Sequence, residues 1–234
     1  MKKIGVITYN TRHLKTEQIL NYLLFKYKPS EIKIFLLPFK KREKRKVLFE
    51  HRPNQDLGVN ALCFAKKYGI EYEICEDDTE IDDTCKNYLI TGAGIISSEC
   101  VREKTIINCH PGIIPNSRGL DAFKWAILEQ KPVGNTLHYI DESVDSGKII
   151  SILATPLFEE DTIHTFAERH YGNEIFLMSN FDHFIMKPIN HFKEIEVSSP
   201  KMRMDTKTEK IMIEAFEEYK TRYATKYTYE IIYR

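Results

Sequence analysis

The amino-acid sequence predicts an α/β protein, with a mostly parallel, twisted sheet covered by helices on both faces. Three observations support this prediction. Short apolar runs that are typical of buried strands alternate with segments whose apolar residues recur at helical spacing. Pro29 and Gly69 end the first two helical segments. No repeat or low-complexity linker interrupts this alternation. Such a sheet places its working loops at the carboxyl ends of its strands.

The predicted strands cover residues 3–8, 32–37, 70–75, 87–91, 105–109, 135–140 and 148–153. The predicted helices cover 14–27, 57–68, 122–130 and 206–223, and 162–186 is mostly helical. Residues 188–202 are predicted to be extended. We expect a main domain at 1–190 and a C-terminal extension at 191–234, which packs on that domain or forms a dimer contact.

The last predicted helix combines charged and apolar residues. We expect its charged residues, Glu209 among them, to form a solvated face. The predicted apolar stripe beneath that face contains Ile211, Ile213, Phe216 and Tyr219. The tail at 224–234 is rich in tyrosine and its role is not indicated by the sequence.

Charge and cysteine content exclude several classes of function. The 234 residues contain 34 basic and 34 acidic side chains, so the net charge is zero and no nucleic-acid partner is expected. The five cysteines have no metal-binding spacing, and their odd number predicts a reducing compartment. The sequence has neither a signal-peptide pattern nor an apolar run long enough for a membrane span, so we expect a cytoplasmic protein without a membrane partner.

Two polar residues end the fifth predicted strand and suggest chemistry. Asn108 and His110 are two residues apart, so their side chains share one face of the strand. Asp145 lies in a loop between two later strands, and it overhangs the same sheet edge if those strands are neighbours. An amide can stabilise an oxyanion, an imidazole can transfer protons, and a carboxylate can orient the imidazole. The same residues also fit ordinary turns, so spacing alone leaves both interpretations open.

The order of several short motifs resembles the folate-dependent formyltransferase family. The resembling residues lie in 108–127 and 134–150, and they include the Asn108-x-His110 motif, Arg118-Gly119 and Asp145-x-Gly147. The resemblance covers about a third of the chain. It implies a Rossmann-like sheet of about seven strands, 10-formyltetrahydrofolate as formyl donor, no metal, and Asn108, His110 and Asp145 as the catalytic set. The 1–190 domain would then be the catalytic domain.

The resemblance also implies a donor site built from two loops. Their backbone would read the edges of the pterin while apolar side chains cover its faces. Ile95 and Ile96 could instead be core residues at a strand end. The implied cofactor-binding residues are Gly94, Ile95, Ile96, Ser97, Asp141, Ser143 and Val144.

The amine acceptor is narrowed by departures from the family pattern. Glycinamide ribonucleotide enzymes carry a glycine-rich phosphate loop after the first strand, and residues 8–13 here contain no glycine. A short, neutral chain disfavours a tRNA acceptor, so the closest likeness is to sugar N-formyltransferases, which act on nucleotide-linked amino sugars. The basic run 40–46 could grip a diphosphate, but a solvated face is the usual meaning of such a charge run and is favoured here. The candidate substrate-binding residues are Arg12, His51, Arg52, Asn54 and Arg118.

Several alternatives stay open at this point. They are a glycinamide ribonucleotide or aminoacyl-type formyltransferase, a formyltetrahydrofolate hydrolase, and a non-catalytic folate- or nucleotide-binding module. A plain dinucleotide-binding protein is disfavoured because the first strand is not followed by G-x-G-x-x-G. The acceptor, the position formylated and the oligomeric state are not determined by the sequence, although a homodimer is compatible with it.

Overall fold

A seven-stranded sheet forms the centre of the protein in the computed structural model, which describes residues 2–39, 46–141, 148–186 and 199–225. The strand order is β3-β2-β1-β4-β5-β6-β7. This arrangement confirms the predicted α/β class with a mostly parallel sheet. The strands are β1 (Lys2–Tyr9), β2 (Ile32–Leu37), β3 (Glu71–Ile74), β4 (Cys85–Ile90), β5 (Ile106–His110), β6 (Gly134–Tyr139) and β7 (Ile149–Ala154).

Strand direction reverses twice across the sheet, at β6 and again at β7. The pairings from β3 to β5 are parallel, whereas β6 runs antiparallel to β5 and β7 runs antiparallel to β6. The parallel strands β1 and β2 are buried over most of their length, as expected where both faces of a sheet are covered, whereas β3 at the edge is mostly exposed. The final strand, β7, alternates between partly buried and exposed residues, which suits a strand at the edge of a sheet.

Apart from the short helix at 98–102, which was not predicted, the helices lie at or near the predicted positions, and local signals explain several of their ends. Asn60 caps the beginning of the second helix, and Gly69 ends it in the left-handed conformation with φ 66°. Thr162 caps the long fifth helix. The helices are α1 (Leu14–Lys26), α2 (Ala61–Tyr68), α3 (Ser98–Arg102), α4 (Ala122–Leu128), α5 (Ile163–Ser179), α6 (Phe181–Phe184), α7 (Thr206–Glu214) and α8 (Phe216–Tyr223).

Three apolar clusters hold these elements together. One joins a face of the sheet to α1, α2 and α5, and it includes Ile107 and Leu137. A second covers the opposite face around Tyr88 and Ile106. The third lies among α4, α5, α7 and α8, with Phe166 at its centre. The C-terminal helices therefore share a core with α4 and α5.

The predicted faces of the last helical region are wrong in two respects. Glu209 is fully buried, although its charge predicted a solvated position. Ile211, which was predicted in the apolar stripe, is 50% exposed. The register is set by contacts with α4 and the 46–49 segment, where Met212, Phe216 and Tyr219 fill the core beside Glu209. Most of the predicted extended segment 188–202 lies outside the described residues, and so does the tail beyond residue 225.

A helix must be long and almost entirely apolar to cross a lipid bilayer. In the described parts of the chain, no helix is both long enough and apolar enough to cross a bilayer.

Candidate active site

A polar cluster lies on one face of the sheet where β5 and β6 pair. Strand alternation puts Asn108 and His110 on this face, and the antiparallel register places His138 beside Asn108 and Thr136 beside His110. Asn108 is partly exposed, whereas His110, Thr136 and His138 are buried. The structure therefore brings two of the three predicted catalytic residues together.

The amide of Asn108 is oriented by a neighbouring histidine. The Nδ1 atom of His138 is 3.1 Å from the carbonyl oxygen of Tyr139, to which a protonated Nδ1 donates. In the neutral ring the Nε2 atom then carries the lone pair. Asn108 Nδ2 lies 3.5 Å from this Nε2 atom and donates towards it. A second N–H on the same amide nitrogen is left to serve as a donor to a ligand.

The loop after β5 fixes the imidazole of His110. The Nε2 atom donates to the carbonyl oxygen of Ser117 over 2.7 Å, so a neutral ring carries its lone pair on Nδ1. Thr136 Oγ1 donates to the carbonyl oxygen of Gly112 over 2.7 Å and accepts from the N–H of Ile114 over 3.1 Å. A side chain at Gly112 would lie 2.7 Å from His110 Nε2. The loop is therefore folded tightly against the histidine.

Asp145, the third predicted catalytic residue, lies outside the described residues, as do Ser143 and Val144. The expectation that their loop leaves from the same sheet edge is wrong. Because β6 is antiparallel to β5, the β6–β7 connection begins beside the start of β5, where the Ile140 N–H donates to Ile106 O over 3.0 Å. Asn108 lies two residues further along β5, which is about 7 Å and within reach of such a loop.

The predicted donor-binding segment follows β4 and is open to solvent. Gly94 is exposed and Ile95 is 84% exposed, which excludes Ile95 from the core. Ile96 is partly buried and packs against the cluster around Tyr88. Ser97 caps α3 by accepting from Cys100 N over 3.3 Å. An exposed apolar side chain can pack on the face of a flat ring, and the exposed backbone beside it can form hydrogen bonds with the polar edge of that ring. Asp141, which belongs to the second predicted donor-binding loop, is also exposed.

The five predicted substrate-binding residues fall into separate groups. Arg12 is exposed at the end of β1 and donates through Nε to Gly58 O over 2.9 Å. Asn54 is also exposed, and its side chain accepts from Asp56 N in a short 3-10 turn. Arg118 is buried after the His110 loop. His51 and Arg52 lie together on the segment that precedes Asn54.

Arg52 belongs to a buried ionic network that the sequence analysis missed. Its Nη2 atom lies 2.6 Å from Glu174 Oε2, and Lys15 Nζ lies 2.6 Å from Glu174 Oε1. Lys15 and Glu174 are buried, whereas the Arg52 side chain is 33% exposed. Burial alone would raise the pKa of Glu174, but the charges of Arg52 and Lys15 lower it to about 2. The signal in the sequence was the presence of two charged residues, Lys15 and Glu174, within helical segments that also carry an apolar pattern.

His51 is held as a neutral ring against an aromatic side chain. It stacks on Phe123, with ring centroids 5.9 Å apart and an interplanar angle of 4°. Burial lowers its pKa well below the usual value, and the charges of Arg52 and Lys124 add to this effect. Its Nδ1 atom is buried without a hydrogen-bond partner. His51 therefore helps to fasten this segment to α4.

A further polar cluster, at the carboxyl ends of β1 and β4, was not predicted as a site. Thr16 Oγ1 lies 2.7 Å from Thr8 Oγ1 and 2.9 Å from Thr91 Oγ1, and His13 Nδ1 lies 2.8 Å from it. Burial lowers the pKa of His13 to about 4, and the charge of Lys15 contributes. This cluster therefore presents neutral hydrogen-bonding groups at the edge between β1 and β4.

Two open cavities lie away from these residues. One has a volume of about 660 Å³ and is lined by α5 and α6 residues that include Phe176 and Phe184. The other, of about 300 Å³, lies beside the first residues of β1 and β4. Neither contains a predicted site residue. Among the described residues, no group of three or more His, Cys, Asp or Glu side chains could hold a metal ion.

Comparison with known proteins connects this site to a family. The sequence model described as formyl transferase matches residues 89–180, which include β5, β6 and the segment after β4. Phosphoribosylglycinamide formyltransferase of Bacillus subtilis is 42% identical over 65 residues, which is 27% of this chain and 33% of that protein. The matched region also spans only 5% and 11% of two trifunctional purine biosynthetic proteins. The chain therefore covers less than two thirds of the length of these relatives.

Solved structures share the fold over most of the chain. A sugar N-formyltransferase from Shewanella sp FDAARGOS_354 has a TM-score of 0.60 and 18% identity, covering 92% of this chain and 88% of that one. An N-formyltransferase from Helicobacter canadensis, in complex with folinic acid and dTDP-3-aminofucose, has a TM-score of 0.61 and 18% identity, covering 94% and 82%. At these identities the likeness is one of fold.

The sheet order defines an α/β protein, with a polar cluster on one face where β5 and β6 pair. The match at 89–180 gives a more specific likeness: over this part of its length the chain is similar to the formyl transferase family.

Proposed function

We propose that the protein transfers a formyl group from 10-formyltetrahydrofolate to the primary amine of a nucleotide-linked amino sugar. The observation that carries the proposal is the pairing of a partly exposed Asn108 amide with a His110 imidazole on one face of β5. Both residues lie within the region that matches the family.

The chemistry assigned to the two side chains follows from their hydrogen bonds. The amine nitrogen attacks the formyl carbon, and negative charge develops on the formyl oxygen. An Asn108 N–H stabilises this charge, which is typically worth about 2.7–4 kcal/mol in a transition state. His110 accepts the proton of the attacking amine at Nδ1, because Nε2–H is bound to Ser117 O. The C–N bond to the donor then breaks, and the leaving nitrogen takes up a proton.

Asp145 completes the proposed catalytic set on the basis of the resemblance. A carboxylate in this loop could orient His110 or move protons through a bound water. The β6–β7 loop, which contains Asp145, begins beside Ile106. By the rise of a strand, Asn108 lies about 7 Å further along β5, a distance that such a loop can span.

The donor is proposed to lie between the segment after β4 and the β6–β7 loop. Ile95 would cover one face of the pterin, and the backbone of 94–97 would meet its polar edge. Asp141, Ser143 and Val144 are the proposed contacts on the other side. The Helicobacter relative was solved with a folate derivative bound, which agrees with this donor class.

The amino-sugar acceptor is favoured by the region around α1. Residues 8–13 lack the glycine needed for a close phosphate cradle. The first-turn N–H of Lys15 is already bound to Gln55 Oε1 over 3.0 Å. Arg12, His51, Arg52, Asn54 and Arg118 stay the proposed contacts for the nucleotide-linked part, and Arg52 and Arg12 could face a diphosphate. The Helicobacter relative was solved with a dTDP-linked amino sugar.

A direct assay tests this function. Purified protein is incubated with 10-formyltetrahydrofolate and a panel of dTDP- and UDP-linked amino sugars, and tetrahydrofolate and the formamide product are measured. We expect both products only with a suitable amine. Asn108→Ala should lower kcat by about 10²–10³, and His110→Ala should lower it by about 10²–10⁴. Asn87→Ala and His183→Ala, which lie near the other cavities, serve as controls.

The same assay separates the alternatives. Glycinamide ribonucleotide is included because the Bacillus relative carries that activity in its name. Turnover with this acceptor alone would replace the amino-sugar proposal with a purine-pathway one. Donor consumption at full rate without any amine would identify a hydrolase. Folate binding without turnover on any acceptor would identify a binding module.

A further inference from the structure

We propose that Glu209, in the C-terminal helix α7, is a positioning residue that holds the segment 46–52 at the candidate acceptor site. The proposed role in acceptor binding rests on the function proposed above, whereas the proposed structural role can be tested without it. Sequence reasoning placed Glu209 on a solvated face, and the structure instead buries it completely.

The carboxylate of Glu209 joins three separate parts of the chain. One oxygen, Oε2, accepts from the backbone N–H of Leu48 over 2.6 Å. The other forms an ion pair with Lys124 of α4, whose side chain is 2% exposed. Burial would raise the pKa of Glu209, but the Leu48 hydrogen bond and the Lys124 charge lower it, so the group is ionised at neutral pH. A buried charge with such partners fixes their relative positions.

The Leu48 contact is continuous with the residues proposed to bind the acceptor. Phe49 follows directly and packs on Phe123, with ring centroids 6.2 Å apart. His51 stacks on the same Phe123 ring, and Arg52 pairs with Glu174. Only three residues lie between Leu48 and Arg52. A shift of the backbone at Leu48 would therefore move both candidate side chains.

The residues just before α7 contact the other candidate acceptor segment. Lys201 N donates to Arg118 O over 3.0 Å, and Leu120 N donates to Lys201 O over 2.9 Å. Met204 N donates to Asp121 Oδ2 over 3.0 Å. The region 201–209 therefore contacts two segments: residues 118–121, which precede α4 and include Arg118, and the backbone at Leu48, four positions before Arg52. Because the region contacts both of these segments, we assign it a positioning role and not merely the role of covering the core.

Amide hydrogen exchange and nucleotide binding test the proposal. Glu209→Gln is compared with Glu214→Gln, a control on the same helix whose side chain is 65% exposed. Exchange is followed at Leu48 by NMR or in peptides spanning 46–52. We expect exchange about ten-fold or more faster in Glu209→Gln and no change in the control. The affinity for dTDP, measured by calorimetry, should fall roughly ten-fold in Glu209→Gln only.

Each outcome decides one part of the proposal. Unchanged exchange at Leu48 in Glu209→Gln would overturn the positioning role. Faster exchange with unchanged dTDP affinity would overturn the link to acceptor binding. If the wild-type protein binds neither dTDP nor UDP, the nucleotide-linked acceptor is rejected, and the exchange result alone decides the role of Glu209. If Glu209→Gln does not fold, the double variant Lys124→Met/Glu209→Gln removes both buried charges and is measured in the same way.

Discussion

At the scale of single residues, the site depends on close packing of the loop around His110. The imidazole donates to the backbone carbonyl of Ser117, and the loop between them packs back on the strand. A Cβ at Gly112 would lie 2.2 Å from Ser117 O and 2.8 Å from Ala122 Cβ. The position therefore requires glycine because of close approach rather than because of backbone conformation. The ring orientation of His110 depends on this absence of a side chain.

Gly112→Ala should therefore move the Ser117 carbonyl and release His110. We expect kcat in the formyl-transfer assay to fall by about ten-fold or more, and the free energy of unfolding to fall by about 1–3 kcal/mol. Gly172→Ala, in α5, is the matched control because its added Cβ meets no atom within 4 Å. This control should raise the free energy of unfolding by about 0.5–1 kcal/mol. Equal behaviour of the two variants would contradict the packing argument.

At the scale of elements, charged pairs connect helices to the segments around the site. Lys15 of α1 and Glu174 of α5 form a buried pair, and Arg52 extends it to the surface. Lys26 at the other end of α1 forms a half-exposed pair with Asp182. The first pair joins α1 to α5 and the second joins α1 to α6, and the two pairs differ in solvation. Buried charges lose much more when one partner is removed, because water cannot replace the partner.

Lys15→Met should consequently destabilise the protein by about 1.5–3 kcal/mol, because Glu174 loses a buried charged partner and keeps only Arg52. Lys26→Met, the control at the other end of α1, should cost no more than about 1 kcal/mol. Urea unfolding followed by circular dichroism measures both changes. A loss of similar size in the two variants would show that burial of the first pair has little energetic importance.

At the scale of the whole molecule, acid stability is set by buried histidines. Burial lowers the pKa of His170 from 6.5 to about 4, and it lowers the pKa of His13 to about 4 as well. In the unfolded chain these groups bind protons near pH 6.5, whereas in the folded chain they stay neutral until about pH 4. The unfolded state thus holds more protons between these pH values, and folding stability rises with pH across that window.

The free energy of unfolding should therefore fall as the pH decreases from 6.5 to 4. His170, which is buried against Phe123 and the Pro111 carbonyl, should account for about 3 kcal/mol of the loss. Below pH 4.5, protonation of Glu174, with its pKa of about 2, adds a second loss. Urea unfolding at pH 7.5, 5.5 and 4.2 measures the slope, and His170→Gln should reduce it. An unchanged slope in His170→Gln would contradict this assignment.

The sequence by itself determined the α/β class, the approximate positions of the seven strands and the placement of Asn108 and His110 on one face. These features follow from local periodicity and from the alternation of side chains along a strand, so they need no knowledge of distant contacts. Only the tertiary structure decided the antiparallel course of β6, the exposure of Ile95, and the burial of Lys15, Glu174 and Glu209. Each of these depends on which residues, distant in the chain, become neighbours. The local sequence around a buried charged residue looks the same as that around a solvated one, because the difference lies in the partner that the residue meets in the fold. For Glu209 that partner is 85 residues away.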